Sequence, residues 1–175
     1  MAVDDTSARV IRLPGIVLGV GLGGFVDGIL LHQLLQWHHM LTSTATANID
    51  VREYPADTVH GLQINTVWDG LFHTFTWLSV LVGLGLLYSR ITHSRARVWA
   101  SRALWGWVLV GWGVFNLVEG VIDHHILAIH HVRSGEHQVL WDIGFLVLGA
   151  VLVLCGWLLQ RSAAHPADER VAANS

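Results

Sequence analysis

Eight acidic and imidazole side chains sit where the chain is otherwise apolar: Asp27, His32, Asp69, His73, Glu119, Asp123, His124 and Asp142. Asp69 and His73 are four apart, as are Glu119 and Asp123, so each pair shares one face of a helix. Asp27 and His32 are five apart, roughly 140° around an ideal helix, and flank a face that carries Gly24 and Gly28. A short order recurs in "DGILLH", "DGLFH" and "EGVIDH": carboxylate, glycine, apolar residues, histidine. An ionised carboxylate at the bilayer centre costs about 2.5 to 3.5 kcal/mol on insertion scales. Arg52 and Arg133 fall in loops and the chain has no lysine, so compensation must come from a bound cation, imidazolium, shared protons or water. Histidine with carboxylate and no thiolate suits iron, zinc, manganese or copper(II). Bundles that project Glu, Asp and His inward are a recurring way to build dinuclear sites, and this chain has ligands enough for two ions. The eight residues are therefore the expected metal ligands, with catalysis left unassigned.

Four apolar segments must position them, at about residues 14–37, 65–88, 103–123 and 139–160, each near the ~20 residues that a membrane-crossing helix needs. Continuous helix satisfies its own backbone polar groups in lipid. The expected fold is all-α, an integral-membrane four-helix antiparallel bundle forming one domain over 14–160. Eight of the 10 arginines, among them Arg90, Arg95, Arg97 and Arg102, fall on one side of this topology. The positive-inside rule makes that side cytoplasmic, with the tails 1–13 and 161–175 both inside. Trp99, Trp105 and Trp107 then suit the inner interface, and Trp37, Trp68 and Trp141 the outer one. Ten of the 12 histidines belong to the outer half or the outer loops.

Composition excludes other classes. With 53% hydrophobic residues, 13% charged residues and nine tryptophans, the chain falls outside the range of an ordinary soluble domain. A net charge of -3 and scattered arginines offer no face for nucleic acid. The single cysteine, Cys155, permits no intrachain disulfide and is expected to pack in the core. "GVGLGG" at 19–24 fits a dinucleotide template, but it lies inside an apolar helix with no preceding strand. Gly15, Gly19 and Gly23, four apart, instead let a neighbouring helix come close. "ATA" at 45–47 could pass for a signal-peptidase site, yet the preceding apolar run is too long and is interrupted by Asp27 and His32. Helix 1 is expected to be retained.

The remaining histidines are weighed as bystanders. His38, His39, His130 and His131 stand at helix ends or in loops, where a solvated interfacial role competes with ligation. His60 and His137 lie on connections. A haem b protein with His32, His73 or His124 as axial ligands is a second reading, ranked lower because neighbouring carboxylates suit a metal ion better than a haem propionate. A proton or cation relay through Asp27, Asp69 and Glu119 is a third. It lacks a route, since the inner half-helices are almost free of polar residues.

The stretches "GFVDGILLHQLLQWHHM", "WDGLFHTFTW", "FNLVEGVIDHHILAIHHVR" and "WDIGFL" resemble a bacterial family of four-helix membrane proteins, domain of unknown function 2243. The resemblance covers about residues 14–160 and implies the same fold and topology. It also implies a link to respiration: handling of metal or haem on the outer face, with a respiratory oxidase or its assembly factors as partner. A redox enzyme and a metal-handling factor both fit, and a homo-oligomer is compatible.

Overall fold

A computed structural model describes residues 10–43, 52–94 and 102–162. Helix α1 (Arg12–Val26) runs into a π-helical segment, π1 (Asp27–Leu34). Helix α2 covers Val59–Ser94, α3 covers Arg102–Glu119 and continues as π2 (Gly120–Ile126), and α4 covers Gln138–Ser162. Four helical spans are long and apolar enough to cross a membrane: Arg12–Leu34, Val59–His93, Arg102–Ile126 and Gln138–Ser162, with mean hydropathies of 1.8, 1.6, 1.4 and 2.3. The described residues contain no strand. The all-α membrane bundle expected from the apolar runs is the observed fold.

The spans lie within three residues of the expected bounds except in one place. Helix α2 begins six residues before the expected position 65 and ends six after 88. An apolar-run criterion sees only the part of a helix that lies in hydrocarbon, whereas 35 residues span about 52 Å, well beyond the core thickness. Thr58 starts this extension: its hydroxyl accepts from Gly61 N–H at 3.0 Å and donates to Pro55 O at 3.1 Å. Residues 1–9 and 163–175 of the tails, Arg95, Arg97, Trp99 and the 45–47 tripeptide lie outside the described residues.

Glycines decide how the helices pack. A methyl group on Gly19 would strike the Val108 carbonyl, and one on Gly111 would strike that of Ile16, so α1 and α3 cross backbone to backbone. The contacts of Gly15 with Leu104 and Trp107, and of Gly23 with Trp112, make the pair parallel. Gly21 meets Thr76 and Val80 while Gly28 meets His73, so α2 runs antiparallel to α1. In the same way Gly106 meets Gln160 and Gly113 meets Gly149, setting α4 antiparallel to α3. The parallel pair is central: 50% and 44% of the apolar windows of the α1 and α3 spans are buried, against 17% for α2 and for α4. Leucines, valines and tryptophans on the outer helices face lipid. Cys155 is exposed on α4, a correction to the expected core position, because α4 buries mainly the narrow stripe of Asp142, Phe145, Gly149 and Gly156.

Candidate metal centre

The π-helical segments set the site. In an α-helix, residues five apart diverge, but a turn closed by i→i+5 bonds returns to the same side after about five residues. His32 Nε2 consequently lies 3.1 Å from Asp27 Oδ2, and His124 Nε2 lies 4.0 Å from Glu119 Oε1. Each segment ends in the same way. Leu35 N–H donates to Leu30 O and Leu127 N–H to Ile122 O, and the next residues, Gln36 and Ala128, take left-handed φ values of 49° and 51°. That reversal turns the chain back over the helix end and carries His38 and His130 inward, to 1% and 0% exposure.

These parallels extend through the molecule. Asp27 and Glu119, Gly28 and Gly120, His32 and His124, His38 and His130, and His39 and His131 are each 92 positions apart. On the partner helices Trp68 and Trp141, Asp69 and Asp142, and Phe72 and Phe145 are each 73 apart. The contacts repeat with the residues: Gly21 packs on Thr76 and Val80, and Gly113 on their counterparts Gly149 and Val153. The chain is therefore two helix hairpins of one design, paired through α1 and α3 about a pseudo-two-fold axis.

Six buried side chains meet at that axis: Asp27, His32, His38, Glu119, His124 and His130. Ligand atoms of Asp27, His32 and His38 lie within 4.8 Å of one another, as do those of His38, Glu119 and His130. The His38 and His130 rings stack at 4.8 Å with 7° between their planes; His32 is 4.4 Å from His38, and His124 is 4.9 Å from His130.

Outside this group a second layer orients it. His32 Nδ1 is 3.0 Å from Asp69 Oδ1, and His124 Nδ1 is 3.5 Å from Asp142 Oδ1. His38 Nδ1 donates to Val132 O at 2.8 Å and His130 Nδ1 to Met40 O at 3.1 Å. A carbonyl only accepts, so the proton of each neutral ring is on Nδ1 and the Nε2 lone pair points into the cluster. The Nε2 atoms of His32, His38, His124 and His130 are buried without a hydrogen-bond partner, as are both Asp27 oxygens and Glu119 Oε2. Although His32 Nε2 and Asp27 Oδ2 are close, they are not aligned to hydrogen-bond. Burial holds the His38 imidazole well below the usual range, with His130 adding repulsion; His130 is lowered to about 4, first by burial and then by His32. Both rings are neutral near pH 7. A cavity of about 240 Å³ reaches His38 and His39.

Of the eight residues singled out by pattern, Asp27, His32, Glu119 and His124 contribute to the six-residue cluster. Asp69 and Asp142 lie behind it. Asp69 also accepts from Met40 N–H at 3.0 Å and pairs with His39 at 2.5 Å; Asp142 does the same with Val132 N–H at 3.0 Å and His131 at 2.7 Å. His73 bonds the Asp69 carbonyl of its own helix at 2.7 Å and faces Gly28, apart from the cluster. Asp123 is half-buried and lines a cavity between α2 and α3. His38, His39 and His130 are buried, so the solvated interfacial role weighed for them does not hold. The signal that finds them is the tandem spacing of "DGILLHQLLQWHH" and "EGVIDHHILAIHH", which the shorter three-helix motif conceals. In the true repeat, His73 of "DGLFH" corresponds to Leu146.

Fold and cluster together define a multi-pass membrane helix bundle with a buried histidine and carboxylate centre. Residues 14–163 match the family described as "Predicted membrane protein (DUF2243)", and the chain belongs to that family. No curated protein and no solved structure matches the chain.

Proposed function

We propose that the protein is an integral-membrane metalloprotein that holds two transition-metal ions at the pseudo-two-fold axis. Asp27, His32 and His38 would hold one; Glu119 and His130, whose ligand atoms also group with His38, would hold the other together with His124, the pseudo-symmetric counterpart of His32. The observation that supports this reading is the four buried imidazoles whose Nε2 atoms are unpartnered, three of them with Nδ1 hydrogen-bonded to protein oxygen. Ligating histidines almost always carry such a bond on the other nitrogen. Charge supports it as well: two divalent ions would neutralise the four buried carboxylates Asp27, Asp69, Glu119 and Asp142, which among the described residues have only histidines as ion-pair partners.

Imidazole and carboxylate suit iron, manganese, zinc and copper(II), and two histidines with one carboxylate form the donor set of non-haem iron, which makes iron the first choice. Such ions supply redox or Lewis-acid chemistry when bound. The protein's own groups fix ligand direction and keep the His38 and His130 imidazoles neutral. The haem b reading has less support, because rings 4.4 to 4.9 Å apart leave no slot for a macrocycle among them. The arginine distribution favours cytoplasmic termini and a centre on the outer side of a bacterial inner membrane, where a redox enzyme or a metal-handling factor for a respiratory oxidase would act. Elemental analysis with electron paramagnetic resonance tests the centre: two ions per chain are expected. Absence of stoichiometric metal after reconstitution with iron, zinc, manganese and copper overturns it.

A further inference from the structure

Two cavities flank the cluster, and they are pseudo-symmetric mates. One, of about 370 Å³, lies between α1 and α4 and includes Asp27 in its lining. The other, of about 300 Å³, lies between α2 and α3 and includes Glu119. The repeat has diverged here. Where the first cavity has Gly23, Leu31 and Leu148, the second has Phe115, Asp123 and Phe75. Two phenyl rings and a further acid thus replace a glycine and two leucines on that side, while the cavity at Asp27 is larger and, apart from Asp27 and Asn116, lined by apolar and indole side chains.

We infer that the cavity at Asp27 binds a membrane-borne hydroquinone, a flat aromatic alcohol with an apolar tail. Three observations choose this occupant. Val26, Leu30 and Leu148 in the lining are 40%, 41% and 48% exposed on the lipid-facing surface, so the cavity opens to the bilayer and admits a tail. Trp37, Trp112 and Trp141 line it and give it aromatic walls, two of them packed on each other under the Arg133 guanidinium. Asp27 is 4% exposed and neither of its oxygens has a hydrogen-bond partner. Oδ2 faces His32, leaving Oδ1 to accept from a hydroxyl. An acyl chain would fill the space but leave that oxygen unpaired, at a cost of about 1 to 3 kcal/mol. The volume falls in the range of small-molecule sites, roughly 300 to 1,000 Å³. The inference rests on the metal-centre reading only for what the hydroxyl approaches beyond Asp27.

Gly144 supplies the test, because a Cβ there meets nothing within 4 Å although the residue lines the cavity. A side chain at 144 therefore starts from open space at the cavity wall, and Gly144→Phe is the substitution chosen to occupy the site. The purified protein in nanodiscs is titrated with the decyl-tailed dimethoxy-methyl hydroquinone, following tryptophan fluorescence, with 1-decanol as the tail-only competitor. Saturable quenching is expected. Gly144→Phe should weaken it by about tenfold or more, the value of one well-placed contact, while Leu71→Phe, at the equivalent position of α2, leaves it unchanged. Non-saturable quenching, equal competition by 1-decanol, or wild-type binding by Gly144→Phe overturns the inference. Metal content measured on the same samples separates the two readings. Protein without metal that binds in a Gly144-dependent manner retires the metal centre and keeps the cavity; protein with two ions and Gly144-insensitive binding does the reverse.

Discussion

His38 and His130 stack across the pseudo-two-fold axis, and each hands its Nδ1 proton to the other's half of the molecule: His38 to the Val132 carbonyl and His130 to that of Met40. The exchange ties the two outer loops together and leaves both Nε2 atoms buried at the centre. Neither loop can place its histidine without the other.

His38→Ala and His130→Ala should therefore each lose at least one ion on desalting, because each removes a ligand that the packed loop has already oriented. His60→Ala and His137→Ala, both at exposed positions, should retain the full complement. His73→Ala should retain it too, since His73 bonds its own helix. Elemental analysis of the five variants decides, with size-exclusion profiles as the check on folding. Metal loss in His73→Ala with retention in His38→Ala would shift the centre towards α2.

Asp69→Asn and Asp142→Asn should weaken metal binding without abolishing it. Each aspartate stands behind a ligand histidine and also holds a loop amide, so its loss frees the imidazole to rotate. Outer partners of this kind are worth roughly 10- to 100-fold in affinity. Competition titration with a zinc chelator reads the change directly.

Gly19→Val should destabilise the bundle by about 1 to 3 kcal/mol or more, as overpacking does, because the side chain meets backbone of α3 rather than a movable side chain. Gly70→Ala should be neutral or stabilising by up to about 1 kcal/mol, since a Cβ there meets nothing and alanine is the better helix former. Thermal denaturation in detergent separates the two.

Metal-free protein should lose stability as pH falls from about 6.5 towards 4. His38 and His130 are held below the ordinary histidine value, and His130 lies at about 4. In that window the unfolded chain binds protons that the folded chain refuses, so stability rises with pH. The slope is at most about 1.4 kcal/mol per pH unit for each such group. Bound metal should flatten the dependence over the upper part of the window, because protons must then compete with the ion. Denaturation midpoints at pH 7, 6 and 5, with and without metal, check both statements.

Ala128→Gly should stabilise the fold by roughly 0.5 to 1 kcal/mol, because the residue is held at a φ of 51° to turn the chain after π2 and only glycine takes that conformation without strain. Chemical denaturation in mild detergent, with metal content unchanged, is the measurement.

By itself the sequence determined what depends on local chemistry summed along a helix. Apolar runs near 20 residues mark the four spans, and the Gly15, Gly19 and Gly23 spacing marks the face on which α1 meets its neighbour. Titratable groups inside those runs single out Asp27, His32, Glu119 and His124 as residues needing partners. Tertiary structure decided the rest. Ideal helical geometry sets Asp27 and His32 about 140° apart, and only the π-helical winding, invisible to an apolar-run criterion, brings them to one side. His38 and His130 read as interfacial because a loop histidine is ordinarily solvated; they become buried only when two left-handed residues fold each loop back and the other half supplies a carbonyl. Asp69 and His73 share a helix face, yet one backs the cluster and the other does not, since helical spacing gives direction around an axis and says nothing of which neighbour stands there. That neighbour is set by the parallel packing of α1 on α3, a contact between backbones 92 residues apart, to which no local pattern extends.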